Sequence, residues 1–244
     1  MSELVRYELR DAIARIVMDD GRVNVMSSAM LAALTGAFER AEKDRAIVIL
    51  TSGRDGIFSA GFDTKVLARK DPAEVLDMVK RGAELALRIL SFCTPVVAAC
   101  TGHAYPMGAF LLLASDVRIG AAGPYKIGFN EVAIGIPVPG FALELGRHRL
   151  APAYLQRTAL TGEMFTPHEA AAAGFLDRLV PADELQATAE SVAAALAKID
   201  LTAHAATKAR LRRPAIEAVR AAIESEITLE AYQRRAAEQR TDQP

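Results

Sequence analysis

The chain has 244 residues, 51% hydrophobic and 24% charged, a globular balance that argues against disorder and is long enough to bury a sizeable core. Lys and Arg total 29 against 30 Asp and Glu, a formal net charge of -1, so the basic excess of a nucleic-acid binder is missing. Cys93 and Cys100 make neither a disulfide framework nor a metal spacing, the start at Met1-Ser-Glu-Leu-Val-Arg6 is charged where a signal peptide needs apolar residues, and the apolar run Ala104 to Ala114 is short of the roughly 20 residues of a membrane span. The expectation is a soluble, cytoplasmic protein.

Leu4 to Leu9 and Ile13 to Met18 alternate around Arg10-Asp11, the pattern of a hairpin. Ser27 or Ser28 caps a predicted helix from Ala29 to Lys43, with Met30, Leu34, Ala37, Phe38 and Ala41 on one face. Ala46 to Thr51 is a continuous apolar run of strand length, hence a buried strand. Pro72 opens a helix to about Phe92, Thr94-Pro95 stops it, and Val96 to Cys100 is a second buried strand. A short helix from Met107 to Ala114 leads to a strand from Asp116 to Gly120. Strands alternating with helices predict an α/β fold.

Beyond about Pro137 the pattern is helical, apart from a strand signal at Asp177 to Val180. The predicted helices are Phe141–Leu150, Pro152–Leu160, Pro167–Ala173, Asp183–Ile199, and Pro214 to about Glu238. The last one aligns Ile216, Val219, Ile223 and Ile227 on a stripe without an evident partner in the core, which points to a subunit contact. Thr241 to Pro244 is expected to fray.

A P-loop and a GxGxxG pattern are both absent. His168-Glu169 lacks the second histidine of a zinc-protease helix, and four scattered histidines argue against a metal site. Gly56-Ile-Phe-Ser59-Ala-Gly61 has one residue too many for a GxSxG nucleophile elbow, so Ser59 reads as a turn residue and a Ser59–His103–Asp116 triad has poor spacing.

Three segments retain chemical interest. Phe58-Ser-Ala-Gly-Phe-Asp63 and Gly102-His-Ala-Tyr-Pro-Met-Gly-Ala-Phe110 each follow a buried strand and precede a helix. Free N–H groups at such turns point outward, and two converging ends make an oxyanion hole. The alternative is that Gly61, Gly102 and Gly108 only serve tight turns and close packing. In Ile127-Gly-Phe-Asn-Glu131-Val-Ala-Ile-Gly-Ile-Pro137 a single carboxylate interrupts an apolar stretch. A buried Glu131 would have its pKa raised toward neutrality, as a general base requires; a solvated Glu131, or one paired with Arg147 or Arg149, is the other reading.

Together these segments resemble the crotonase superfamily of enoyl-CoA hydratases and isomerases, and the resemblance covers nearly the whole chain. It begins at Gly21-Arg-Val-Asn-Val-Met26 and includes Thr161 to Ala170 and Ala173 to Pro181. It implies a spiral of ββα units carrying an acyl-CoA site (1–196), followed by a C-terminal helical oligomerisation region (197–244) that assembles homotrimers or homohexamers. The implied ligand is an acyl-CoA thioester, with no metal, no separate cofactor, no nucleic acid and no membrane involved. By position, the thioester oxygen would accept from the N–H groups of Phe62 and Met107. Glu131 would be the acid-base group. Val23, Ala60, Lys65, Gly108 and Phe110 would line the substrate, and Lys208, Arg210, Arg212 and Arg213 would either meet phosphates or form a solvated face.

Departures from the hydratase pattern refine this expectation. Hydratases carry two glutamates, and the first of these positions is Phe110 here. Asn130-Glu131 resembles the Asn-Glu of 3-enoyl-CoA isomerases, which are similar also in having an apolar residue at the Phe110 position. Met107 stands where most members have glycine, which narrows the pocket and strains the backbone if that position needs a positive φ. The resemblance thus implies isomerisation of 3-enoyl-CoA to 2-enoyl-CoA, with a single-glutamate hydratase and a non-catalytic acyl-CoA binder as alternatives.

Overall fold

The structure, a computed structural model, describes residues 3–69 and 71–234. Strands β1 (Val5–Arg10) and β2 (Ile13–Met18) form an antiparallel hairpin, turned by Asp11 and Ala12 at positive φ. After β3 (Val25–Met26), Ser27 caps α1 (Ser28–Lys43) by accepting from the Met30 N–H. β4 (Ile47–Ser52) and β7 (Val96–Cys100) are buried along their whole length. They are central strands of a parallel array, covered on both faces, which is why they read as unbroken apolar runs.

Between them lie β5 (Gly56–Ser59), β6 (Gly61–Phe62), α2 (Thr64–Arg69) and α3 (Pro72–Leu90), the last capped by Asp71 with Pro72 at its start. β8 (Gly102–Ala104) and the wholly buried α4 (Met107–Ala114) follow β7, and then β9 (Val117–Ala121) and β10 (Ile127–Gly128). The chain continues through α5 (Gly140–Arg149), α6 (Pro152–Thr161), β11 (Met164–Phe165), α7 (Pro167–Ala173), β12 (Arg178–Val180), α8 (Leu185–Leu196) and α9 (Leu201–Glu226).

Two sheets organise these elements. The larger runs β1-β2-β4-β7-β9-β12 and the smaller β11-β10-β8-β5, while β3 and β6 pair separately. Each spiral turn therefore gives one strand to each sheet: β4 then β5, β7 then β8, β9 then β10. The expected α/β crotonase spiral of ββα units with C-terminal helices is the observed architecture.

The C-terminal region departs from expectation. α9 starts at Leu201, capped by Asp200, and passes through Pro214 instead of beginning there. An internal proline costs one helical hydrogen bond and a steric clash, offset here by contacts on both sides of it. Before Pro214, Lys208 and Arg212 are buried on Asp116, at 2.7 and 2.8 Å. After it, Val219, Ile223 and Ile227 are buried in the same core as α3 and α5, with Ile216 packed alongside. The stripe has its partner within the chain, so it does not argue for a subunit contact. Lys208 and Arg212 are likewise neither a phosphate site nor a solvated face, whereas Arg210 and Arg213 are exposed. The expected unbroken helix to about Glu238 is also interrupted: α9 ends at Glu226, Ile227 and Thr228 leave the helical path, and a new helical stretch starts at Leu229. Residues 235–238 of that expectation, the frayed Thr241–Pro244 and the first two residues of the charged start lie outside the described residues.

Candidate active site

The first loop is built around Ser59 at the end of β5. Its hydroxyl donates to the Asn24 carbonyl at 2.7 Å and accepts from the Gly61 N–H at 3.1 Å. His103 Nδ1 accepts from the Lys126 N–H, and Asp116 holds Lys208 and Arg212. The three members of the paper triad thus each serve a different partner, and Ser59 is a turn residue. Ala60 donates to the exposed Val23 through its N–H, at 3.0 Å from the carbonyl oxygen.

Gly61 has φ +86, and a Cβ there would lie 2.6 Å from the Tyr105 carbonyl oxygen and also meet Pro106. Only glycine combines this conformation with so close an approach. Tyr105 N–H donates to the Ser59 carbonyl at 3.1 Å, and a Cβ on Gly108 would stand 3.0 Å from that same carbonyl oxygen. The two strand-to-helix loops are therefore docked on each other, with Phe62 following one side of the contact and Met107 the other.

Met107 is the first residue of α4, where an N–H has no intrahelical acceptor and Pro106 offers no side-chain cap. Its φ is not positive, so the methionine is unstrained. Its buried side chain turns toward α3: a Cβ on Gly82 would meet the Met107 sulfur at 3.2 Å and the Phe62 ring at 2.6 Å. Met107 is not among the residues that line the cavity.

That cavity, of about 240 Å³, is lined by Ala60, Phe62, Pro106, Asn130 and Glu131, by Thr64 and Leu67 of α2, and by apolar residues of α3 and of the loop after Glu131. Glu131 is 5% exposed and precedes a short 3₁₀ turn, Val132–Ile134. Its carbonyl accepts from Ile134 and Ile136, while Oε2 is buried without a hydrogen-bond partner. Neither Arg147, which pairs with Glu144, nor Arg149, which donates to the Ser115 carbonyl, compensates it. Burial pushes the Glu131 carboxyl from 4.5 up to about 7, against a smaller lowering by the backbone N–H groups of Glu131 and Asn130. Asn130 Oδ1 is a second buried acceptor without a partner.

Phe110 is fully buried outside the cavity lining, edge-on to Phe129 at 5.0 Å and Phe141 at 5.5 Å. Lys65 is exposed on α2, its backbone N–H held by Asp63. Among the described residues no group of three or more His, Cys, Asp or Glu could hold a metal ion, and no helix is long and apolar enough to cross a membrane.

Two contributors escaped sequence reasoning. Asn24, buried at positive φ, donates from Nδ2 to Ser52 and to the Phe58 carbonyl, bracing the first loop. Asparagine's tolerance of left-handed backbone was the available signal, in Gly21-Arg-Val-Asn24. Tyr232, far along the chain, lines the cavity, and nothing local marks it.

A spiral of paired sheets with one uncompensated buried carboxylate beside two docked strand-to-helix loops defines a crotonase-type protein. Residues 8–241 match the sequence model of the enoyl-CoA hydratase/isomerase family, to which the chain belongs. It is 32% identical over 213 residues to human mitochondrial enoyl-CoA delta isomerase 1, covering 86% of this chain and 70% of that protein. It is 29% identical to the 2,3-dehydroadipyl-CoA hydratase of Escherichia coli K12, covering 94% and 89%. Among solved structures it resembles an enoyl-CoA hydratase/isomerase family protein from Pseudomonas syringae (TM-score 0.89, 44% identity, 92% and 96% covered). It also resembles the apo enoyl-CoA isomerase of Mycobacterium tuberculosis (TM-score 0.87, 43% identity, 92% and 97% covered).

Proposed function

We propose that this enzyme isomerises 3-enoyl-CoA to 2-enoyl-CoA, with Glu131 as the only acid-base group. Glu131 takes a proton from the α-carbon, the electron pair moves into the thioester to give a dienolate, and the proton returns to the γ-carbon as the double bond shifts into conjugation. The oxyanion is held by the N–H groups of Phe62 and Met107. Proton removal and delivery by one carboxylate consume nothing, so no cofactor is needed; coenzyme A is part of the substrate. Ala60, Val23 and Gly108 shape the thioester path through their backbone, and Lys65 meets the CoA phosphates from the rim. The proposed setting is the cytoplasm, and the proposed assembly the homotrimer or homohexamer that the resemblance implies.

The observation that carries this reading is the unpartnered Oε2 of Glu131 in a cavity lined mostly by apolar residues. A carboxylate with no cation to neutralise it is kept as a proton acceptor of near-neutral pKa. The second reading, hydration of 2-enoyl-CoA, is favoured by Asn130 Oδ1, which with Glu131 presents two acceptors to a water. Purified protein incubated with 2-enoyl-, 3-enoyl- and 3-hydroxyacyl-CoA separates the cases by mass and absorbance. Isomerisation conserves mass and creates the conjugated thioester chromophore, hydration changes mass by one water, and saturable binding without turnover identifies a non-catalytic acyl-CoA binder.

A further inference from the structure

The wall of the Glu131 cavity is completed from the other end of the chain. Past the end of α9, Thr228 caps a new helical turn, accepting from Ala231 at Oγ1 (3.2 Å) and from Tyr232 at its carbonyl (3.1 Å). This turn is fastened at three points. Glu226 accepts from the Gly140 N–H at 2.9 Å, which ties the end of α9 to the first residue of α5. The fit is tight, since a Cβ on Gly140 would come within 2.6 Å of the Glu226 carboxyl carbon. Ile227 and Ala231 are both buried. The turn carries Tyr232, which packs against the core and lines the cavity together with Pro139, Ile136 and, from α3, Val75 and Val79.

The chemistry of this wall identifies what it receives. Among the described residues no Lys or Arg lines the cavity, so the described wall does not suit the phosphates of CoA. Away from Asn130 and Glu131, and apart from Thr64 at the start of α2, its described lining is hydrocarbon, the Phe62 ring and one phenol ring. That surface fits the acyl tail of a thioester whose α-carbon lies at Glu131.

We infer that Tyr232 is the specificity-determining stop of the acyl pocket, its ring ending the space available to the acyl chain, and that Glu226 is a positioning residue that holds this stop through Gly140. The inference rests on the proposed acyl-CoA site and adds its substrate class: acyl chains short enough to end at the ring. Each methylene that gains burial improves binding about fourfold, so removing the ring favours longer chains selectively.

The test is a chain-length series of 3-enoyl-CoA thioesters, from four to twelve carbons, with kcat/KM measured for each. Tyr232→Ala is expected to raise the ratio of long-chain to four-carbon kcat/KM at least tenfold, Tyr232→Trp to lower it, and Tyr232→Phe to restore the wild-type ratio. Glu226→Ala is expected to broaden the chain-length preference without moving the pH midpoint set by Glu131. Equal scaling of every chain length in Tyr232→Ala and Tyr232→Trp overturns the inference. If the wild type converts no 3-enoyl-CoA at all, the isomerase reading fails by itself. Titration calorimetry with saturated acyl-CoA thioesters then decides the pocket: a selective gain for long chains in Tyr232→Ala upholds the inference, and an unchanged chain-length profile refutes it.

Discussion

Gly61 and Tyr105 are in backbone contact: a Cβ on Gly61 would stand 2.6 Å from the Tyr105 carbonyl oxygen. This contact sets the spacing between the loop that carries Phe62 and the loop that leads into Met107. Gly61→Ala must either push the loops apart or abandon φ +86, and both outcomes misplace the two proposed N–H donors. Loss of a single oxyanion donor typically costs 10²–10³ in kcat. Gly61→Ala is expected to lower kcat by at least that factor, with a lowered melting temperature, and activity near wild type would show that the junction does not position the donors.

Glu131→Gln removes the proton acceptor while keeping volume and polarity. General-base removal costs roughly 10²–10⁴ in rate, so turnover should fall by that factor while acyl-CoA affinity stays within severalfold. An unchanged rate would remove Glu131 from the mechanism.

The pH dependence follows from the same burial. With Glu131 pushed up to about 7, kcat/KM in the wild type should rise about tenfold per pH unit below that value and level off above it. A profile that is flat between pH 5 and 8 would contradict the assignment.

Stability should move in the opposite direction to activity. The folded-state pKa of Glu131 lies above its ordinary value of 4.5, so the folded chain favours the protonated acid. That contribution is complete below pH 4.5 and is lost as pH rises through about 7. A shift of this size corresponds to about 3 kcal/mol. Glu131→Gln should therefore melt several degrees above wild type at pH 8, with the gap closing toward pH 4. Equal melting temperatures at pH 8 would mean that the carboxylate is solvated.

Much of this fold was legible because its signals are local. β4 and β7 announce themselves as unbroken apolar runs, and Ser27 and Pro72 mark where helices begin. Glu131 was legible as the one carboxylate in an apolar segment. The two-residue strands β3, β6, β10 and β11 are too short for any periodicity to show. α9 was misread because proline so often opens a helix, whereas here the Asp116 ion pairs and the buried stripe carry the helix through Pro214. Lys208, Arg212 and Tyr232 could not be placed from spacing, since their partners are distant in the chain: Asp116 for the two cations, the cavity wall for the tyrosine.

The Phe110 position tests why one carboxylate rather than two should serve here. Its ring is fully buried and packs edge-on against Phe129 and Phe141, outside the cavity lining. A phenyl group can neither orient a water nor transfer a proton, so native protein should isomerise 3-enoyl-CoA far faster than it hydrates 2-enoyl-CoA. Phe110→Glu would add a second carboxylate, and each recovered transition-state contact of about 1.4 kcal/mol is worth tenfold in rate. Two costs oppose the gain. The aromatic contacts with Phe129 and Phe141 are lost, and a Glu placed among phenyl rings is buried without a partner, which is destabilising. The variant is therefore expected to melt lower than wild type, and a folded fraction must be established by circular dichroism before rates are compared. Among folded protein, the ratio of hydration to isomerisation should rise at least tenfold if the new carboxylate reaches the cavity, and stay unchanged if the ring's position outside the lining keeps it away. Rapid hydration of 2-enoyl-CoA by the native protein, with Phe110 in place and 3-enoyl-CoA untouched, would refute the isomerase reading and show that Asn130 and Glu131 suffice to hold the water.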